Sequence, residues 1–470
     1  VDSKQMRYLA FILAAITSAE MQAFQLAPRL VVNITIDQLR TDYIDAFTPL
    51  YSSGGFRRIM RDGLVYDGAG YPFSPVDRAS ATATLSTGTT PYYNGIISNW
   101  WLDRETLQPV FCVDNDKNAG SPQRLKTSTV GDELKISTNG TAVIYSFAAN
   151  RECAILAAGH AADGAFWLEK NKEWKGSSYY STFPDWLKAH NRLRPAPGTN
   201  GNSNDAVVDA SLQAISAAAM GKDDISDMLY VTLSATKSNG TPVTHWQTEM
   251  ESVYMQLDNS LERLISGIEK QVSLDKVLFV VTSTGYTEES TIDLSKYRIP
   301  TGTFYINRTA SLLNMYLGAI YGQGRYVEQI YGNQMYLNHK LVEQKRVAIS
   351  EVLSRSREFL IQSAGVADVY TSDRLLDGND DILKIRNGFN PIISGDIIIE
   401  VTPGWKLFNE DTQQTYTSRA SFVPFPIIFM GAGIRPQHVP TKVSVDCIAP
   451  TIAKSIRIRA PNACNASPLF

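Results

Sequence analysis

Leu30 to Ile36 is a short, mostly apolar and β-branched run, and Asp37 follows it directly. Such a run without polar alternation predicts a strand buried on both faces of a parallel sheet. Thr141–Phe147, Leu229–Leu233, Val277–Thr282, Asp396–Val401 and Pro426–Met430 read as further strands. Between them the pattern predicts helices over Asp42–Tyr51, from Gly54-Gly55-Phe56 to Gly63, from Val130, over Thr248–Ile268 and over Asn338–Leu360. Val76–Pro91 is rich in Ala, Ser and Thr, and Thr87-Gly88 closes a helix there. Alternating strands and helices indicate an α/β fold. Arg192–Asp205 reads as a surface loop. Residues 291–369 hold a strand, helices and Tyr-, Gln- and Gly-rich connections, the pattern of an inserted cap or subdomain.

The N-terminal pattern differs. Met6-Arg7 opens a basic region, Tyr8–Ile16 is apolar, and Met21-Gln22-Ala23 ends on a small residue. This reads as a signal peptide over 1–23, with Val1–Gln5 ahead of the expected initiator Met6. The apolar run is too short to span a bilayer. Residues 24–470 then form the mature domain, expected in the periplasm or at the outer membrane of a Gram-negative cell. Hydrophobic content of 44% and charged content of 19% are globular values, and a net charge of −3 gives no bulk attraction for nucleic acid. Export permits disulfides. Of the four cysteines, Cys447 and Cys464 are the expected pair, although spacing alone does not fix a pairing, and none of the four has zinc-ligand spacing.

Asp37 stands where its strand ends, and ligands of open α/β sheets gather outside the carboxyl ends of strands. It is a candidate metal ligand or catalytic group; the plain alternative is an N-cap for the next helix.

Several stretches occur in a recognisable order: Ile36-Asp37-Gln38, Gly54-Gly55-Phe56, Thr87-Gly88-Thr89-Thr90-Pro91, Asn99-Trp100-Trp101, Gly159-His160-Ala161, Ser394-Gly395-Asp396, Pro403-Gly404-Trp405 and Pro426-Ile427-Ile428-Phe429. In this order the chain resembles the alkaline phosphatase superfamily, in its type I phosphodiesterase/nucleotide pyrophosphatase branch. Within it the likeness is to monomeric, phosphate-irrepressible alkaline phosphatases of Bacteroidota, from about Leu30 to Pro468. The resemblance implies a three-layer sandwich with a mostly parallel sheet, helices on both faces and a cap insertion. It also implies two zinc ions on three Asp and three His, which activate a Thr or Ser nucleophile and clamp an in-line phosphoryl transfer.

Residue by residue, the match is partial. Asp37 matches the first metal Asp, and Asn99 matches an Asn that binds a phosphoryl oxygen. Arg78 falls at the nucleophile, with Ser80 and Thr82 the nearest hydroxyls. Lys237 and Thr241 fall at an Asp and a His. Ser283 and Thr284 replace an Asp-His pair, and Thr415 stands near the last His. Asn150 and Glu152 fall at a phosphate-gripping Lys and Arg, with Arg151 one place away. None of the five histidines, His160, His190, His245, His339 and His438, has metal-ligand spacing.

These substitutions lead to the expectation of a catalytically inactive relative, with no metal and no cofactor. It would bind or scaffold, partnered by another envelope protein or complex. Lys237 is expected to pair with Asp37 in place of a zinc. An anionic small molecule held by Arg78, Asn99, Arg151 and Lys237 is a second expectation. The alternative is a metal-dependent phosphomonoesterase or phosphodiesterase with a rearranged site.

Overall fold

All but one of the predicted strands join one sheet of nine strands. In chain order these are β1 (Leu30–Asp37), β2 (Leu64–Tyr66), β3 (Ile144–Ala148), β4 (Gly164–Leu168), β5 (Trp174–Gly176), β6 (Asp227–Ser234), β7 (Val277–Ser283), β8 (Ile427–Gly431) and β9 (Gln437–Val439). Across the sheet they run β9-β2-β8-β7-β1-β6-β3-β4-β5. The central strands β7, β1, β6, β3 and β4 are parallel, and antiparallel pairs lie towards both edges. The computed structural model describes residues 27–114, 120–169, 172–192, 203–237, 245–287, 298–377, 382–417 and 423–470. The signal-peptide segment and Thr241 lie outside them.

β1 is central because it has apolar chains for both faces. Val32, Ile34 and Ile36 enter one core with Leu229, Val231, Phe279 and Val281. Val31 enters the opposite core with Met228, Leu278 and Val280. Burying each such side chain contributes roughly 1.5–3 kcal/mol. Helices cover both faces, which makes the α/β sandwich. The Gly54-Gly55-Phe56 motif has a local reason. Asp258 accepts from Ser52 N and Phe56 N, both at 2.7 Å, and a Cβ on Gly55 would lie 2.2 Å from its Oδ1.

A separate core gathers Phe304, Leu313, Leu337, Val352, Val369, Ile399 and Leu407. Its residues come from a four-stranded sheet, a three-stranded sheet and the helices packed with them. The strand Ile397–Val401 joins this unit rather than the main sheet, pairing antiparallel with Val366–Thr371. The unit therefore extends past 369, to the strand Gln414–Thr417. The helix expected over Asn338–Leu360 is two, His339–Gln344 and Ile349–Leu360. Arg346, at φ 56°, turns the chain between them.

Candidate active site

β1, β6 and β7 end almost level. Asp37 is paired with Ser234 and Ile36 with Ser283, so the three carboxyl ends open on one place. Asp37 is 1% exposed there. Gln38 follows it with φ 61°, a left-handed backbone that residues other than Gly rarely adopt. The helix α1 (Arg78–Thr87) starts opposite, under a reciprocal cap between Asp77 and Ser80. The same Asp77 accepts from Ser98 Oγ at 2.9 Å and Asn99 N at 2.6 Å, which fixes the Asn99 segment against the helix start.

The first residue of α1, Arg78, reaches into the strand ends. Its Nε and Nη2 donate to Asp37 Oδ2 at 2.9 and 2.8 Å. The other oxygen, Oδ1, accepts from Thr284 Oγ1 at 2.9 Å, and Thr284 accepts in turn from Gln38 N. Arg78 Nη1 reaches Glu152 Oε1 at 3.3 Å. Glu152 lies in the first turn of α2 (Arg151–Ala158). Burial opposes the charge on Arg78, but Asp37 and, less strongly, Glu152 hold its guanidinium protonated, well above its ordinary range. Small residues bring α1 and α2 together. Ser86 donates to Leu156 O at 2.8 Å, and Thr82 lies 3.8 Å from Cys153 Sγ.

Asn99 sits beside this cluster. Its Oδ1 accepts from Ala79 N at 3.1 Å, which directs Nδ2 away from the helix; that amide has no partner among the described residues. Asn99 also lines a cavity of about 460 Å³ between the main domain and the second unit. Trp100, Tyr286, Tyr331 and Tyr416 give it aromatic walls.

Asp37, Arg78, Glu152 and Thr284 thus meet at the strand ends, with Asn99 held against the start of α1 next to Arg78; the other candidates do not join them. Lys237 pairs with Glu249 at 2.9 Å, so the expected Lys237–Asp37 pair is replaced by Arg78–Asp37. A long helix, Trp246–Glu269, brings Glu249 to the end of β6, where it takes the lysine. Arg151 turns to Asp114 at 3.0 Å and stacks over Phe111. The expected four-residue anion pocket therefore keeps only Arg78 and Asn99. Ser80 is spent on the Asp77 cap, and Thr82 donates to Arg78 O at 2.8 Å. Both are buried, with their hydroxyls engaged by groups of their own helix start. Ser283 donates to Leu39 O. Asn150 precedes α2 without a side-chain capping bond, and Thr415 lies on a strand of the second unit that lines the cavity. Cys447 and Cys464 are thiols; burial, Asp446 and Cys464 push the Cys447 thiol up to about 11. The fixed partners of Lys237 and Arg151 carried no short-range sequence signal.

The model of the type I phosphodiesterase/nucleotide pyrophosphatase family matches residues 31–421. The chain belongs to this family. A protein of Myroides odoratus named calcium-transporting ATPase is 25% identical over 94% of each chain. The alkaline phosphatase PafA of Elizabethkingia meningoseptica is also 25% identical, over 94% of each chain. The crystal structure of wild-type PafA shares the fold with a TM-score of 0.81 and 23% identity, covering 94% of this chain and 98% of its own.

Two expectations are corrected by this. Full-length similarity to an alkaline phosphatase, within a phosphodiesterase family, overturns the expectation of a non-enzyme. The expectation of no cofactor falls with it, since the chemistry implied by family membership is metal-assisted. The described side chains do not complete a two-zinc centre. Both Asp37 oxygens are taken by Arg78 and Thr284, and among the described residues no three His, Cys, Asp or Glu gather as a metal set. Charge still favours an added cation. Asp37 and Glu152 carry two negative charges against the single positive charge of Arg78.

Proposed function

We propose that the protein hydrolyses phosphoric esters, monoesters or diesters, with a metal cofactor and a rearranged version of the family's cleft. The observation that carries this reading is Asn99. Its Oδ1 is held by Ala79 N at the start of α1, its Nδ2 has no partner among the described residues, and the residue lines the cavity, where a phosphoryl oxygen would need a donor. The N-terminus of α1 adds a favourable field for an anion. Arg78 anchors that end of the cleft. Glu152 accepts only from Arg78 among the described residues, and so is a carboxylate able to take a proton from an attacking water. The excess negative charge around Arg78 supports metal dependence, because an anionic ester would otherwise be repelled.

The leader-like Met6–Ala23 pattern supports placing this activity in an exported compartment. No described helix is long and apolar enough to cross a membrane.

The test is turnover of phenyl phosphate and bis(p-nitrophenyl) phosphate by the purified chain, with Zn²⁺, Mg²⁺ or Mn²⁺ supplied and then chelated. Turnover that needs metal and falls in Asn99→Ala supports the reading. A folded protein that hydrolyses neither ester with any of the three metals overturns it.

A further inference from the structure

The 460 Å³ cavity has the size of a small-molecule site, which runs to roughly 300–1,000 Å³. Its wall chemistry narrows the ligand. Trp100, on the hairpin Trp100–Phe111, is 47% exposed and presents a ring from the main domain. Tyr331 and Tyr416 present rings from the two sheets of the second unit. Between these rings the wall is polar, and much of its hydrogen-bonding capacity is unused. Gln334 spends its Oε1 on Gly395 N, and Gln414 spends its Oε1 on Tyr416 OH; both amide Nε2 groups have no partner among the described residues. The Tyr331 hydroxyl and the Lys384 ammonium also have none. Of the carboxylates, Glu400 accepts from Tyr370 OH on one oxygen, and Asp77 caps α1.

Such walls offer flat apolar faces together with donors on several sides. A nucleobase has its polar groups in one plane only. A sugar ring has apolar C–H faces for stacking and hydroxyls around its whole edge, which matches donors spread over Gln334, Gln414, Tyr331 and Lys384. Asn99, the proposed phosphoryl donor, lines the same cavity. We infer that this cavity binds the sugar of a glycosyl or sugar phosphoric ester, with the phosphoryl group at Asn99 and the ring against Trp100. This rests on the proposed hydrolase reading for the phosphoryl end; the sugar end stands on the cavity alone.

The experiment is binding, read separately from turnover. Tryptophan fluorescence and calorimetry follow titration of the full chain with α-glucose 1-phosphate, maltose, adenosine 5′-monophosphate and inorganic phosphate. Glucose 1-phosphate should saturate and bind more tightly than inorganic phosphate, with maltose weaker but measurable. Trp100→Ala should weaken glucose 1-phosphate by about tenfold. Tyr331→Phe and Gln414→Ala should each weaken it less, while Met315→Ser on the outer helix of the second unit should leave it unchanged. Melting curves confirm that each variant is folded. No saturable binding of either sugar by the folded protein overturns the inference, and so does adenosine monophosphate binding more tightly than glucose 1-phosphate. Sugar binding without ester turnover would sink the hydrolase reading and leave the sugar site standing. Turnover of phenyl phosphate without sugar binding would do the reverse.

Discussion

Asp37 and Asp396 are both buried, at 1% and 3% exposure, and each faces an arginine from elsewhere in the chain. Their surroundings differ. Asp396 accepts from Arg104, from His339 Nε2 at 2.9 Å and from Leu337 N at 2.8 Å. Arg104 also donates to Ser394 O and stacks over Tyr336. The Asp396 cluster thus ties the Trp100 hairpin to the second unit, and up to two cations serve one carboxylate. At Asp37, among the described residues, one cation serves two carboxylates, the nearby Asn99 amide has no partner, and the strand ends open on a cleft. An aspartate–arginine pair does not identify a site by itself. The charge left over and the position on the sheet distinguish the two.

The largest effect should come from Arg78→Ala. It leaves Asp37 buried without its counter-charge, so stability should fall by roughly 3–5 kcal/mol in urea denaturation. A loss below about 1 kcal/mol, the range of an exposed pair, would make the pair no more than a surface contact. Next is Asn99→Ala, expected to lower ester turnover by about a hundredfold while the melting temperature hardly moves. Unchanged turnover would remove Asn99 from the phosphoryl site. Asp396→Asn should cost about 1.5–3 kcal/mol, from weakened charged hydrogen bonds, and should weaken cavity binding more than phenyl phosphate turnover. Equal losses in both would mean the tie holds the cleft as well as the cavity.

The smallest effect concerns pH. The hydrogen bond to Asp396 raises the His339 pKa against a smaller opposing effect of burial. A raised folded pKa adds stability that is fully present below the ordinary histidine value, near 6.5, and is lost as pH rises through the folded value. Because the His339 side chain is 56% exposed, the slope should be shallow. An NMR titration should place His339 above an exposed histidine, and His339→Gln should remove that part of the slope. A His339 midpoint at the ordinary value would show that the tie is held by Arg104 alone.

Much of the frame was legible in the sequence. β1, β6 and β7 were visible because β-branched runs buried on both faces leave no alternation to confuse them. The short strands β2, β5 and β9 carry too few residues to show a pattern. The second unit's far boundary was hidden because its sheet joins Val366–Thr371 to Ile397–Val401, and the three-stranded sheet adds chain out to 417. Motif order put Asp37, Arg78 and Asn99 in one neighbourhood. It misplaced Lys237 and Arg151, because the choice of ion-pair partner depends on how long side chains reach in space.

The sequence by itself determined the family, the α/β frame and the identity of the groups at the strand ends, since these follow from local pattern and the order of short motifs. The tertiary structure decided which carboxylate holds which cation, and that Ser80 and Thr82 are consumed by their own helix. It also decided that a half-polar cavity opens beside Asn99. Those outcomes depend on competition between partners far apart in the chain, decided by burial and distance, which no local window of sequence contains.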